Sequence, residues 1–152
     1  MKTQQHGPMP LLLAEDDDDD YMLIQEALKG LLVANDVVRV TDGEQLLHYL
    51  RRTGEYTERA VSTNPAVILL DLNMPKMDGR TALREIKSDP ALRHYPVIVL
   101  TTSKEEEDVF RSYQTGVNAF MQKPGNFNTL VDALKSFENY WLQIVELPTS
   151  RA

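Results

Sequence analysis

Five short apolar runs punctuate the chain, and the apolar positions change their spacing between them. The runs are Leu11-Leu12-Leu13-Ala14, Val37-Val38-Arg39-Val40, Val67-Ile68-Leu69-Leu70, Val97-Ile98-Val99-Leu100 after Pro96, and Gly116 to Met121. Runs with so little polar alternation suit strands covered on both faces of a parallel sheet. Between them, Ile24, Ala27, Leu28 and Leu31, then Leu46, Leu47 and Leu50, then Ala82, Leu83 and Ile86, recur at helical intervals. The same holds for Phe127, Leu130, Val131, Leu134, Phe137, Trp141, Ile144 and Val145. Spacing of this kind lays one apolar stripe on a helix. With a further helix opened by Ser103 and Glu106, strands and helices alternate. That predicts an α/β fold, a doubly wound parallel sheet of flavodoxin-like type with five strands in the order 2-1-3-4-5.

The polar positions supply the punctuation. Asp42 followed by Gln45 resembles a capping box, Asn126 is placed to cap the last helix, and Asp89-Pro90 stops the third. Gly30 is expected late in the first helix, and Pro75 with Asp78-Gly79 sets a tight loop after the third strand. Residues 51–65 read as a long loop of charged and small polar residues. Residues 1–9 show no periodicity and read as a flexible lead, 10–147 as one domain, and 148–152 as a tail. A final helix of about twenty residues spans roughly 30 Å, against roughly 17 Å for a five-residue strand, so its end overhangs the sheet. Phe137, Trp141, Ile144 and Val145 then form either an interface with a second copy or a tail folded back on its own core.

The chemistry lies where apolar runs stop. Asp71 ends the third run, at the sheet edge where open α/β folds bind ligands. The first run stops at Glu15, followed without interruption by Asp16 to Asp20. Glu15 and Asp16 are level with Asp71, whereas Asp18 to Asp20 suit a helix cap and first turn. Carboxylates crowded at one edge call for a compensating cation, and hard oxygen donors suit Mg²⁺. Thr101 and Thr102 follow the fourth strand and either face this edge or cap the turn. Lys123 follows the fifth strand as a point charge suited to phosphate, and Pro124 after it leaves the isomer of that bond open. His48 has no second ligand at metal spacing and is read as a surface or boundary residue.

Composition narrows the classes. The chain has 152 residues, 42% of them hydrophobic, enough for one core and one site. A formal charge of −7 disfavours direct binding to nucleic acid or to anionic membrane. Without cysteine there are no disulfides, and Leu11 to Ala14 is too short for a signal or span, which together suggest a cytoplasmic protein.

Taken together, Leu-Leu-Leu-Ala-Glu-Asp-Asp at 11–17, Leu-Leu-Asp-Leu-Asn-Met-Pro-Lys-Met-Asp-Gly at 69–79, Val-Leu-Thr-Thr-Ser at 99–103 and Lys-Pro at 123–124 resemble the receiver domain of response regulators. The resemblance covers residues 10 to 145 and implies a single-domain signalling protein, not an enzyme with turnover on a separate substrate. It makes Asp71 the acceptor of phosphate from a histidine kinase. It gives Mg²⁺, replaceable by Mn²⁺ or Ca²⁺, the ligands Asp16, Asp71 and the backbone carbonyl of Asn73, with Glu15 acting through water. It further implies that Thr101 and Lys123 bind the phosphoryl group and that Thr101 and Phe120 form the switch. Thr102 departs from the small residue common at its position. The 51–65 loop and long last helix look similar to the stand-alone regulators of phytochrome-type kinases, which form dimers, and so imply a histidine kinase, a bacteriophytochrome among the candidates, as partner. A haloacid-dehalogenase-like phosphohydrolase is the competing reading. It also uses a strand-end aspartate, but Asn73 stands where its second acid belongs.

Overall fold

A computed structural model describes residues 9–31, 36–60, 63–101, 119–122, 128, 130–136 and 138–139. The apolar runs become strands β1 (Leu11–Ala14), β2 (Val37–Val40), β3 (Val67–Asp71), β4 (Val97–Thr101) and β5 (Ala119–Gln122). They form one sheet in the order β2-β1-β3-β4-β5, every neighbouring pair parallel. β1 pairs on both sides, Leu11 with Val37 and with Val67, and every residue of β1 and β3 is buried. Parallel pairing needs crossover connections, which carry helices onto both faces.

Successive strand residues point to opposite faces, so each run feeds two cores. On one side Leu12, Ala14, Val40, Ile68 and Leu70 pack with Leu46, Leu47 and Leu50 of helix α2 (Gly43–Arg51) and Ala82, Leu83 and Ile86 of α3 (Gly79–Ser88). On the other, Leu11, Leu13, Val67, Leu69, Ile98 and Leu100 meet Ile24 of α1 (Asp18–Ala27), Leu28, and Leu130 and Leu134 of the helical residues 130–136. A fully buried side chain of this size contributes about 1.5–3 kcal/mol relative to exposure, so the two clusters dominate the fold. Among the described residues no helix is long and apolar enough to cross a membrane.

Several boundaries move. Met9, expected at the end of a flexible lead, is buried in the second core cluster. α1 ends at Ala27, and Gly30 lies beyond it, although Leu31 still reaches the core. The described residues of the 51–65 segment form an organised cap on α2. Arg52 in the left-handed region ends the helix, and a 3-10 turn follows at Gly54–Tyr56. The Tyr49 and Tyr56 rings meet edge to face at 5.0 Å, and the Arg59 guanidinium lies 4.2 Å over Tyr49 while its Nε donates to the Tyr49 carbonyl. Aromatic and cation–π contacts stand in for aliphatic residues, of which the segment has few. His48 is half-buried against Gly54, its Nδ1 covered and without a hydrogen-bond partner.

Candidate functional site

The carboxyl ends of β1 and β3 lie side by side because Ala14 pairs with Leu70, one residue before Asp71. Carboxylate oxygens of Glu15, Asp16 and Asp71 thereby come within 4.8 Å of one another. Glu15 and Asp71 are buried, while Asp16 is exposed to solvent. Two like charges 4 Å apart at an effective dielectric of 20 repel by about 4 kcal/mol, so a cation at their centre relieves a large repulsion. Three hard oxygen donors at this spread, one open to water, fit an octahedral divalent ion that keeps part of its hydration.

Local hydrogen bonds orient these acids. The Asp71 Oδ1 accepts from the Asn73 N–H at 3.1 Å, and the Glu15 Oε2 accepts from the Asp17 N–H at 3.1 Å. The acidic run is divided much as its position suggests, with one change. Asp17 is the helix cap, its Oδ1 accepting from the Asp20 N–H at 2.9 Å, and Asp18 to Asp20 fill the first turn. Carboxylates there are stabilised by the amino end of the helix.

The loop after β3 is held by close approach. The Gly79 N–H donates to the Leu72 carbonyl at 2.9 Å, and a Cβ on Gly79 would overlap the Asp71 carbonyl oxygen and come 2.7 Å from Leu72 Cα. Gly43 opens α2 in the same way, its N–H donating to the Met77 carbonyl at 2.9 Å where a Cβ would strike that oxygen. Met74 is buried and Met77 packs against the core, which leaves Lys76 exposed at the tip with φ 61. Asp78, expected only as a turn residue, caps α3 through the Thr81 N–H at 3.1 Å. Asp42 caps α2 as expected, but Gln45 reaches the Thr41 N–H at 2.9 Å, one residue ahead of the capping-box position.

Thr101 is the last residue of β4, where it pairs with Gln122 at this edge, while Phe120 pairs with Val99 two residues further back. Thr102, Lys123, Pro124, Phe137, Trp141, Ile144 and Val145 lie outside the described residues. Spacing did not single out Arg39, whose Nε donates to the Glu15 carbonyl at 2.8 Å and whose Nη1 lies 2.8 Å from Asp18 Oδ1. The available signal was one cation interrupting an apolar strand.

The chain is similar to known proteins in sequence and in fold. The family model described as "Response regulator receiver domain" matches residues 11–135. Response regulator Rcp1 of Synechocystis is 40% identical over 150 residues, spanning 99% of this chain and all of its own length (100%). The crystal structure of the phosphorylated cyanobacterial phytochrome response regulator RcpA is 46% identical with a TM-score of 0.73, covering 90% of this chain and 95% of that one. The Mn(2+)-bound form of Rcp1 is 41% identical with a TM-score of 0.72, covering 89% and 95%.

Proposed function

The chain belongs to the response regulator receiver family, and on that premise we propose that it is a stand-alone phosphoacceptor, Asp71 taking a phosphoryl group from a histidine kinase in a Mg²⁺-dependent step. The observation that carries this reading is the convergence of Glu15, Asp16 and Asp71 within 4.8 Å at two adjoining strand ends. An Asp71 carboxylate oxygen attacks phosphorus in line, an acyl phosphate bond forms, and the phosphorus–nitrogen bond to the kinase imidazole breaks with its electron pair leaving on nitrogen. The Asn73 N–H on Oδ1 sets the plane of the carboxylate for that attack. Asp16, Asp71 and the Asn73 carbonyl would hold Mg²⁺, with Glu15 through water, and Mn²⁺ or Ca²⁺ would fit the same donors. Bound there, the ion supplies positive charge to the transferring phosphoryl oxygens.

Lys123, directly after β5, completes the neutralisation, and the Thr101 hydroxyl bonds a phosphoryl oxygen once Asp71 is modified. Movement of Thr101 makes room for Phe120, and a partner or dimer surface changes with it. The phytochrome pairing of RcpA supports a phytochrome-type histidine kinase, bacteriophytochromes included, as phosphodonor. The protein works in the cytoplasm without contacting DNA. Phe137, Trp141, Ile144 and Val145 form a homodimer contact, so Trp141→Ala lowers the mass seen by sedimentation; an identical mass at every concentration refutes the dimer.

Phosphorylation is tested with Mg²⁺ and a small acyl phosphate, or with beryllofluoride as its stable analogue. Intact-mass measurement is expected to show one phosphoryl group per chain, absent without the metal and in Asp71→Asn. Continued adduct formation by Asp71→Asn, or multiple-turnover hydrolysis of phosphate esters, overturns the assignment.

A further inference from the structure

Arg39 is an unusual choice for its place. It stands in β2 at the sheet edge, in a four-residue strand whose other members are valines. Strand alternation puts it on the same face as Val37, the side on which α1 packs. Its side chain is only 19% exposed, yet it carries a full charge. Nε donates to the Glu15 carbonyl at 2.8 Å, Nη1 pairs with Asp18 Oδ1 at 2.8 Å, and Cζ lies 4.4 Å over the Tyr21 ring. Nη2 is buried without a partner, which costs stability. A valine at this position would fill the strand without that cost, so packing alone does not account for arginine.

The three contacts have a common effect. They join the end of β1, through Glu15, to the first turn of α1, through Asp18 and Tyr21. Between those anchors lie Asp16 and Asp17, and Asp16 is one of the three converging acids. Glu15 is held at its N–H as well, which donates to the Val40 carbonyl at 3.0 Å. The Glu15 backbone is therefore held at its N–H and at its carbonyl, the carbonyl being that of the peptide to Asp16, and this sets the direction in which the Glu15 side chain and the chain to Asp16 leave the strand. Asp18 is 85% exposed, so its ion pair contributes little by itself. The covered bond to the Glu15 carbonyl, charge-assisted and made by a planar fork, is the stronger constraint.

We propose that Arg39 is a positioning residue for the divalent-cation site, holding the Glu15–Asp16 peptide so that both carboxylates converge on Asp71. This inference rests on the metal-dependent reading given above. It is separable from a purely electrostatic role because the two have opposite signs. A guanidinium near the acids repels an incoming cation, so charge alone predicts tighter binding when Arg39 is neutralised. Positioning predicts weaker binding.

Mg²⁺ affinity measured by titration calorimetry on wild type, Arg39→Leu, Arg39→Gln, Arg39→Lys and Asp18→Asn decides between them. The expected result is binding by wild type, on the order of tenfold weaker binding by Arg39→Leu and Arg39→Gln, and an intermediate value for Arg39→Lys. Asp18→Asn stays within about threefold, as an exposed pair implies. The rise in unfolding temperature caused by saturating Mg²⁺ shrinks in the Leu and Gln variants; a merely structural residue would lower the melting of free and loaded protein equally. Either neutral variant suffices if the other fails to fold, and if neither folds, Arg39→Lys binding as wild type does counts against the proposal. Equal or tighter binding by a folded neutral variant overturns it. Failure of wild type to bind Mg²⁺ would bring down the metal reading itself.

Discussion

The loop leaving β1 and the loop leaving β3 deliver carboxylates to one edge, but charged and polar bonds hold the first while buried methionines and backbone contact hold the second. In the first, Asp17 caps α1, Glu15 accepts from Asp17, and Arg39 spans the turn. In the second, Met74 is buried, Met77 packs on the core, and Gly43 and Gly79 lie against backbone. Apolar burial and close packing are indifferent to salt and bound charge, whereas exposed ion pairs weaken as ionic strength rises. The β3 loop is thus suited to be a fixed platform for Asp71, and the β1 loop to be the side that answers to a cation.

Mutations break this comparison in order of size. Gly79→Ala forces a methyl into the Asp71 and Leu72 backbone and is expected to cost about 3 kcal/mol in urea unfolding. A loss below about 1 kcal/mol would show that the platform yields easily. Met74→Ala removes a buried anchor and should cost about 2 kcal/mol by the same measurement, with little dependence on salt. On the polar side, Asp17→Ala loses a cap for about 1 kcal/mol, and Asp18→Asn loses an exposed pair for less than about 0.5 kcal/mol. The Asp18→Asn effect should fade in 1 M salt, where screening acts within about 3 Å. A salt-sensitive Met74→Ala, or an Asp18→Asn loss rivalling it, would reverse the contrast.

The platform was the more legible of the two loops. Val67 to Asp71 reads as a buried strand because no polar residue interrupts it, and Asp71 is conspicuous as the point where burial meets charge. The pairing of Asp71 with Glu15 and Asp16 also follows from strand ends sharing one edge. Which of six consecutive acids would cap α1 was not legible, since adjacent aspartates differ by little in sequence and the choice depends on backbone angles at Asp17. Arg39 was hidden because a strand pattern shows which face a residue takes but not which loop passes within reach. The cap on α2 escaped for a related reason: Tyr49, Tyr56 and Arg59 stabilise it through ring geometry, which leaves no apolar periodicity.

The position of β1 also bears on how the chain is made. Made before either of its partners, Leu11–Ala14 is destined for the interior of the sheet, but Leu11 needs both Val37 and Val67 as neighbours. Until β3 follows, one side of this apolar strand has no template. Parallel pairing over that separation is slow, and the nascent chain must keep an adhesive segment from pairing elsewhere in the meantime. Glu15 to Asp20 follow it directly, a run of like charges of the kind that disfavours pairing between neighbouring chains.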